Sequence, residues 1–247
     1  MKKALFLLMY SLSLLLAITS YAQEPTVQNT LKRPHRIYFG PEFLWFQSDV
    51  HVKDAHVDDQ SLFWGMRLGY DYLKAQSFYA GAELLAVNSQ HSFVFSENGN
   101  NHHPSRRQGF GNLQMRLGYT VEKRDALLTP FLGLGVYSLS KYSHEGFKES
   151  MGYLAAGLRS CYKRSSLCAV GLNGEVFRSL GNLDKTVTVG HTQYKTHSGS
   201  WGAKIEAPVT IRISQGWDMQ ISPSYLRLCF SESQNIYGAG LLFGYKF

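Results

Sequence analysis

Beyond its first 22 residues the chain has no apolar run approaching the ~18–20 residues that a membrane-crossing helix requires, which excludes a helical membrane protein for the remainder. Cysteine is scarce: Cys161, Cys168 and Cys229 are too few for a disulfide framework. An oxidising compartment would permit one bridge. Cys161 and Cys168 flank a turn, but side-chain alternation directs them to opposite faces, which disfavours that pair unless the strand ends twist. Charge is also sparse, at 17% of residues. No Gly-rich phosphate loop, zinc-ligand spacing or nucleic-acid-binding motif occurs, so no cofactor, metal or nucleic-acid partner is expected.

What is present begins with a targeting segment. Lys2 and Lys3 precede an apolar stretch from Ala4 to Ala17, and Ser20-Tyr21-Ala22 supplies the small residues of a cleavage site. Residues 1–22 are read as a signal peptide, cleaved after Ala22. No Cys follows Ala22, which argues against a lipid anchor. Removing the two lysines lowers the formal charge from +7 to +5. A modestly basic exported chain suits an anionic lipid surface better than nucleic acid, which export leaves behind. Residues 23–35 are polar and aperiodic, with Pro25 and Pro34, and are read as a disordered leader. Residues 36–247 form the folded domain.

From Arg36 onward apolar residues alternate with small or polar ones. Ile37, Phe39, Pro41, Phe43 and Trp45 oppose Tyr38, Gly40, Glu42 and Leu44; Leu62, Trp64, Met66, Leu68 and Tyr70 oppose Gly65, Arg67, Gly69 and Asp71. Similar runs recur near 113–119, 201–213 and 237–247. A period of two is the signature of strands, and glycine inside every run disfavours helix. Ten runs are predicted, at 36–47, 61–73, 77–95, 108–121, 127–140, 150–162, 167–180, 200–213, 217–230 and 236–247, with eight as the alternative if one hairpin is misread.

The connections alternate between short (74–76, 122–126, 163–166, 214–216) and long (48–60, 96–107, 141–149, 181–199); a fifth long-side connection, 231–235, is shorter. Aromatic residues gather at run ends: Trp45, Phe46, Phe63, Trp64, Tyr70, Tyr72, Phe78, Tyr79, Tyr119, Trp201, Trp217, Tyr245 and Phe247. Short turns on one side, long loops on the other and aromatic girdles are the marks of a transmembrane barrel. In lipid every backbone polar group needs a protein partner, so the sheet must close. The fold class expected is therefore all-β, a closed antiparallel transmembrane β-barrel.

The C-terminal run, Tyr237-Gly-Ala-Gly-Leu-Leu-Phe-Gly-Tyr-Lys-Phe247, carries Tyr237, Phe243, Tyr245 and a terminal Phe247 on one parity. It resembles the C-terminal signal strand of Gram-negative outer-membrane proteins, and the chain as a whole resembles the small OmpA/OmpX-like barrels. That resemblance implies the cell outer membrane as location, recognition of the last strand by the barrel-assembly machinery, contact with outer-membrane lipid and lipopolysaccharide, and a leader on the periplasmic side. The sequence offers no soluble periplasmic domain after the barrel, so peptidoglycan anchoring is not expected.

The inward parity carries Glu42, Asp71, Glu83, Glu175 and Glu206 against Arg67, Arg116, Arg159, Lys204 and Arg212, with Lys246 at the rim. A narrow barrel must pair such charges, since an unpaired buried charge costs several kcal/mol. The expected lumen is a salt-bridge network with some water rather than a general-diffusion pore. Eight histidines (His51, His56, His91, His102, His103, His144, His191 and His197) lie in or near the long connections, where solvated polar roles suffice. The segment from Asp54 to Asp59 holds an Asp two residues from His56, a spacing able to activate water. Its likeness to the omptin proteases stops there, because no second Asp pair stands on a partner strand. His197-Ser198 are adjacent rather than on one strand face, which departs from outer-membrane lipid A deacylases. No catalytic residue is assigned. The leading expectation is a non-enzymatic barrel whose outer loops bind a surface partner or support the envelope; a narrow channel is second, an outer-membrane hydrolase third.

Overall fold

The computed structural model describes residues 33–52, 55–89, 92–96, 107–142, 147–163, 165–180, 184–189, 192–196, 200–229 and 233–247. The proposed signal peptide and most of the leader lie outside this set. All regular structure among the described residues is β. The strands are β1 (His35–Val52), β2 (Ala55–Tyr72), β3 (Ser77–Ser89), β4 (Ser92–Ser96), β5 (Arg107–Lys123), β6 (Ala126–Tyr142), β7 (Phe147–Lys163), β8 (Cys168–Ser179), β9 (Asp184–Val189), β10 (Thr192–Thr196), β11 (Trp201–Glu206), β12 (Val209–Arg212), β13 (Trp217–Cys229) and β14 (Ser233–Lys246).

Ten staves make the wall, because β3 with β4, β8 with β9, and β10 with β11 and β12 are each one crossing interrupted along its length. Every pairing is antiparallel, and each stave pairs with its sequence neighbours. β1 then pairs with β14, from Arg36 opposite Lys246 to Ser48 opposite Gln234, so the sheet has no edge across the lipid-facing region. Closure is sealed at the termini: His35 N donates to Phe247 O at 3.4 Å and Phe247 N to His35 O at 3.1 Å. Arg33 Nη1 reaches Gln215 O and Lys246 O, each at 3.4 Å.

Strict alternation sorts the side chains. Trp64 (59% exposed), Leu117 (67%) and Leu132 (68%) stand on the outside, with their strand neighbours turned in. This exposed apolar belt is what hydrocarbon requires and water would penalise. Three of the expected girdle rings are inside instead. Phe46, Phe63 and Tyr79 are almost fully buried. Each sits beside an outward ring (Trp45, Trp64 and Phe78), and of two consecutive strand residues only one can face lipid.

The strands also run further than expected on the side opposite the termini. The β1–β2 ladder continues to Val52 opposite Ala55, through most of the connection predicted at 48–60. β6 and β7 likewise extend to Tyr142 and from Phe147, and β9 pairs with β7 and β10 within the 181–199 connection. These segments are rich in polar residues and carry only short apolar alternation, yet the backbone still ladders. The 18 residues of β2 far exceed the ~9–11 that cross a bilayer. All three cysteines are thiols. Cys161 stands opposite Gly171 and Cys168 opposite Ile211, so the register never brings the two face to face.

Candidate functional site

The interior is layered along the barrel axis. At the end holding the termini, Arg36 binds Asp218 Oδ1 through Nη2 (2.6 Å) and Nε (3.1 Å), and Lys246 Nζ lies 3.0 Å from Asp218 Oδ2. Arg36 Nη1 also donates to Gln220 Oε1 at 2.9 Å. Above this, Arg159 grips Asp71 in a fork, Nη1 to Oδ1 at 2.7 Å and Nη2 to Oδ2 at 3.1 Å. Tyr79 accepts from Arg159 and donates to Asp71 Oδ1 at 2.9 Å.

The middle layer centres on Arg67. Its Nη2 binds Glu42 Oε1 at 2.6 Å, its Nη1 binds Glu206 Oε1 at 2.5 Å, and Glu83 Oε2 stands 3.9 Å from Nη1. Glu83 is shared further, with Arg116 Nη2 at 3.5 Å, Lys204 Nζ at 3.6 Å and the Tyr38 hydroxyl, which donates at 2.9 Å. Arg116 also donates to Gln114 Oε1 through Nε and Nη2 (2.9 and 2.6 Å), and Gln114 Nε2 donates to Glu175 Oε2 at 2.9 Å. Glycine makes room for this layer. A Cβ on Gly240, directly across the ladder from Glu42, would lie 2.3 Å from Glu42 Oε2, and one on Gly69 would meet the Tyr38 ring at 2.2 Å.

Nine of the ten charges assigned inward from the sequence therefore stand in one connected region. Arg212 is apart: it faces Asp218 across the β12–β13 ladder, six residues and about 20 Å along the strand from Glu206. These nine are five carboxylates and four cations, and the adjoining terminal layer adds two cations, Arg36 and Lys246, to one carboxylate, Asp218, which balances the interior. Arg36, Asp218 and the bridging Tyr38, Tyr79 and Gln114 escaped the sequence assignment. Asp218 was legible there, since Trp217 and Met219 mark the outward parity on either side of it.

Above the charges lies a layer absent from the sequence expectation. Leu44, Phe46, Phe63, Leu85, Val87, Phe110, Tyr137, Leu139, Met151, Tyr153, Phe177, Leu228 and Ile236 are buried together inside the barrel. Phe46 meets Phe63 edge-on at 6.0 Å, Phe110 meets Tyr137 edge-on at 5.0 Å, and Tyr153 packs on Phe177 at 5.0 Å. Two small cavities lie among the described residues. One cavity of ≈ 40 Å³ lies where apolar and charged layers meet, and a second of ≈ 20 Å³ lies among Arg116, Arg159, Asn173 and Glu206. At ~10–15 Å³ per water, these hold roughly three waters and one or two.

The remaining candidates lie elsewhere. Tyr237 and Tyr245 point outward on β14, with Phe243 half-buried on the same parity, and Phe247 just past the strand is exposed. Among the described outward positions away from the terminal end, the charged residues are Arg178 on β8 and Arg227 on β13, on the two staves flanking β11. His51 and His56 are ladder partners, but their side chains lie outside the described residues, as do Asp54, His91, His102, His103, His144, His191 and His197. No metal-binding cluster of His, Cys, Asp and Glu is present among the described residues.

The closed ten-stave wall, outward apolar belt and filled polar interior define an integral outer-membrane-type β-barrel. No family model matches the chain, and no curated protein matches it. Among solved structures it is similar to the outer membrane protease OmpT of Escherichia coli, with a TM-score of 0.56 at 9% identity over 90% of this chain and 99% of that one. Weaker likenesses include the attachment invasion locus protein Ail of Yersinia pestis (TM-score 0.42, 9% identity, 86% and 97% covered) and an outer membrane channel of Pseudomonas putida F1 (0.44, 9%, 91% and 100%). At such identities the likeness is one of fold.

Proposed function

We propose that the protein is a non-conducting, non-enzymatic scaffold of the outer membrane. In this reading its signal peptide is cleaved after Ala22, the strand ending Tyr237, Phe243, Tyr245 and Phe247 is read by the barrel-assembly machinery, and the work is done by the segments beyond the lipid, which meet an extracellular partner or brace the envelope. A rigid wall holding long extramembrane segments is the usual arrangement for such presentation. Arg178 and Arg227 are the side chains for the outer leaflet's anionic lipopolysaccharide. A charge facing lipid is tolerated only near the interface, where its cost falls to about 0–1 kcal/mol, and phosphorylated headgroups lie at that level.

The observation that carries the non-conducting part is the double seal: a buried ion-pair layer and, above it, a buried apolar layer. A hydrated ion would have to displace both. Planar-bilayer recording of the purified barrel tests this. Silent membranes with verified insertion are expected; stable ohmic steps would replace the scaffold by a narrow channel. For a hydrolase, a peptide or lipid A activity lost in Asp54→Ala and His56→Ala would be required.

A further inference from the structure

Proline has no N–H to give to a ladder, so in a closed wall it leaves the facing carbonyl without its donor. Which seam each proline interrupts follows from the terminal pair. His35 and Phe247 bond to each other twice. Every second pair along β1 and β14 does the same, which includes Phe39 with Phe243 and Phe43 with Ala239. Between those two pairs the register sets Pro41 across from Leu241, at another doubly bonded position. Leu241 O has no N–H to accept from there, and the ladder is broken over Gly40 and Pro41. Gly40 permits the close approach of the two backbones, since a Cβ on it would collide with Leu241 O.

The other side of the C-terminal hairpin has the same defect. Ala207 N donates to Pro223 O at 3.0 Å, but Pro223 returns nothing to Ala207 O, and the stave is interrupted at Ala207 and Pro208 between β11 and β12. Pro208 adds a break on the far side of that stave, where it faces Gly171. The breaks at Pro41 and Pro223 lie at nearly one depth, because Pro223 pairs with Ala239, two residues from Leu241. Between them the β13–β14 ladder runs unbroken from Trp217 opposite Tyr245 to Cys229 opposite Ser233. Pro130 breaks the β5–β6 ladder in the same way, but β3 and β7, on the far sides of those two strands, carry no proline. Among the described strands, β13–β14 is the hairpin with a break in both outer seams. Directly behind it lies the larger cavity, walled on this side by Glu42 and Leu44 of β1, Ser224, Leu226 and Leu228 of β13, and Ile236 of β14.

We propose that the β13–β14 hairpin is a lateral gate. It moves as one unit on its intact inner ladder, parts from β1 and from the β11–β12 stave at the two proline breaks, and opens the cavity toward lipid. The motion is sideways, so it is independent of whether the lumen conducts along its axis.

Amide exchange of the full barrel in lipid nanodiscs, followed by NMR, reads the opening of each seam. The amides of Phe43 and Ala239 report the seam with β1, and those of Val209 and Ile221 the seam with β12. Ser222 and Gly240, paired within the hairpin, are the controls. Both flanks are expected to exchange about ten-fold faster than the controls and with a common opening free energy. Pro41→Val restores an N–H for Leu241 O, and should slow exchange by roughly two- to ten-fold at both flanks, including Val209 and Ile221 on the far side. Pro223→Val should act in the same way on Phe43 and Ala239. Folding of each variant is checked by heat-modifiable gel migration, and the wild-type pattern decides should a variant fail to fold. Flanks as slow as the controls would overturn the gate. So would a valine that slows exchange only at its own seam, since the two seams would then fray separately.

Discussion

Arg67 is 2% exposed and stands within 4 Å of three carboxylates. Replacing it with Met leaves Glu42 and Glu206 without their closest cation, in a buried layer with room for only a few waters. Breaking a buried pair from one side costs about 3–5 kcal/mol, and that loss is expected in the unfolding free energy of Arg67→Met measured by urea titration in lipid vesicles. A loss below about 1 kcal/mol would show that the lumen hydrates these carboxylates freely. Gly240→Ala probes the same layer from the wall. Its Cβ would overlap Glu42 Oε2, and overpacking of this kind costs about 1–3 kcal/mol. Gly174, where an added Cβ meets nothing within 4 Å, is the matched control, expected to accept Ala with little change in the same titration.

Along each strand one variable, parity, decides whether a residue meets hydrocarbon or the lumen. Leu132 lies midway along β6 on the outward parity, so Leu132→Arg is expected to cost about 2–4 kcal/mol. Arg178→Leu and Arg227→Leu, near strand ends, should shift stability by less than about 1 kcal/mol. Equal penalties from guest charges at 132 and 178 in vesicle refolding would contradict the placement of the belt. Parity also explains what the sequence could disclose. The stave number, closure and inward set from Glu42 to Glu206 are legible because apolar and polar residues alternate there. The upper layer was not legible. Where Phe46, Phe63 or Phe177 follows or precedes another apolar residue, both faces are apolar, and hydrophobicity no longer says which points in. The strand extensions were hidden for another reason: polar residues dominate those segments, and the apolar alternation is too short to mark a strand. Ion-pair partners were harder still: Arg67 with Glu206 spans 139 residues, a proximity set by barrel curvature and register.

At the scale of the whole molecule the wall is a ring, and a ring has no privileged starting point. His35 and Phe247 are hydrogen-bonded neighbours, while Val52 and Ala55 are adjacent across the far end of the β1–β2 ladder. Joining Phe247 to Arg33 through a short flexible linker and opening the chain between residues 53 and 54 preserves every ladder pair. Circular permutation succeeds where termini are close and the new break is outside the packed core. The permuted chain should therefore refold in detergent to the same heat-modifiable species as the parent. In cells the outcome should differ, because Phe247 is then internal and the last strand becomes β1. If the terminal Tyr237–Phe247 strand is the assembly signal, the permutant accumulates outside the outer-membrane fraction despite folding competently in vitro. Efficient outer-membrane insertion of the permutant would dissociate the assembly signal from that strand. Failure to refold in detergent would instead mean that the β1–β2 hairpin is needed intact for the ring to form.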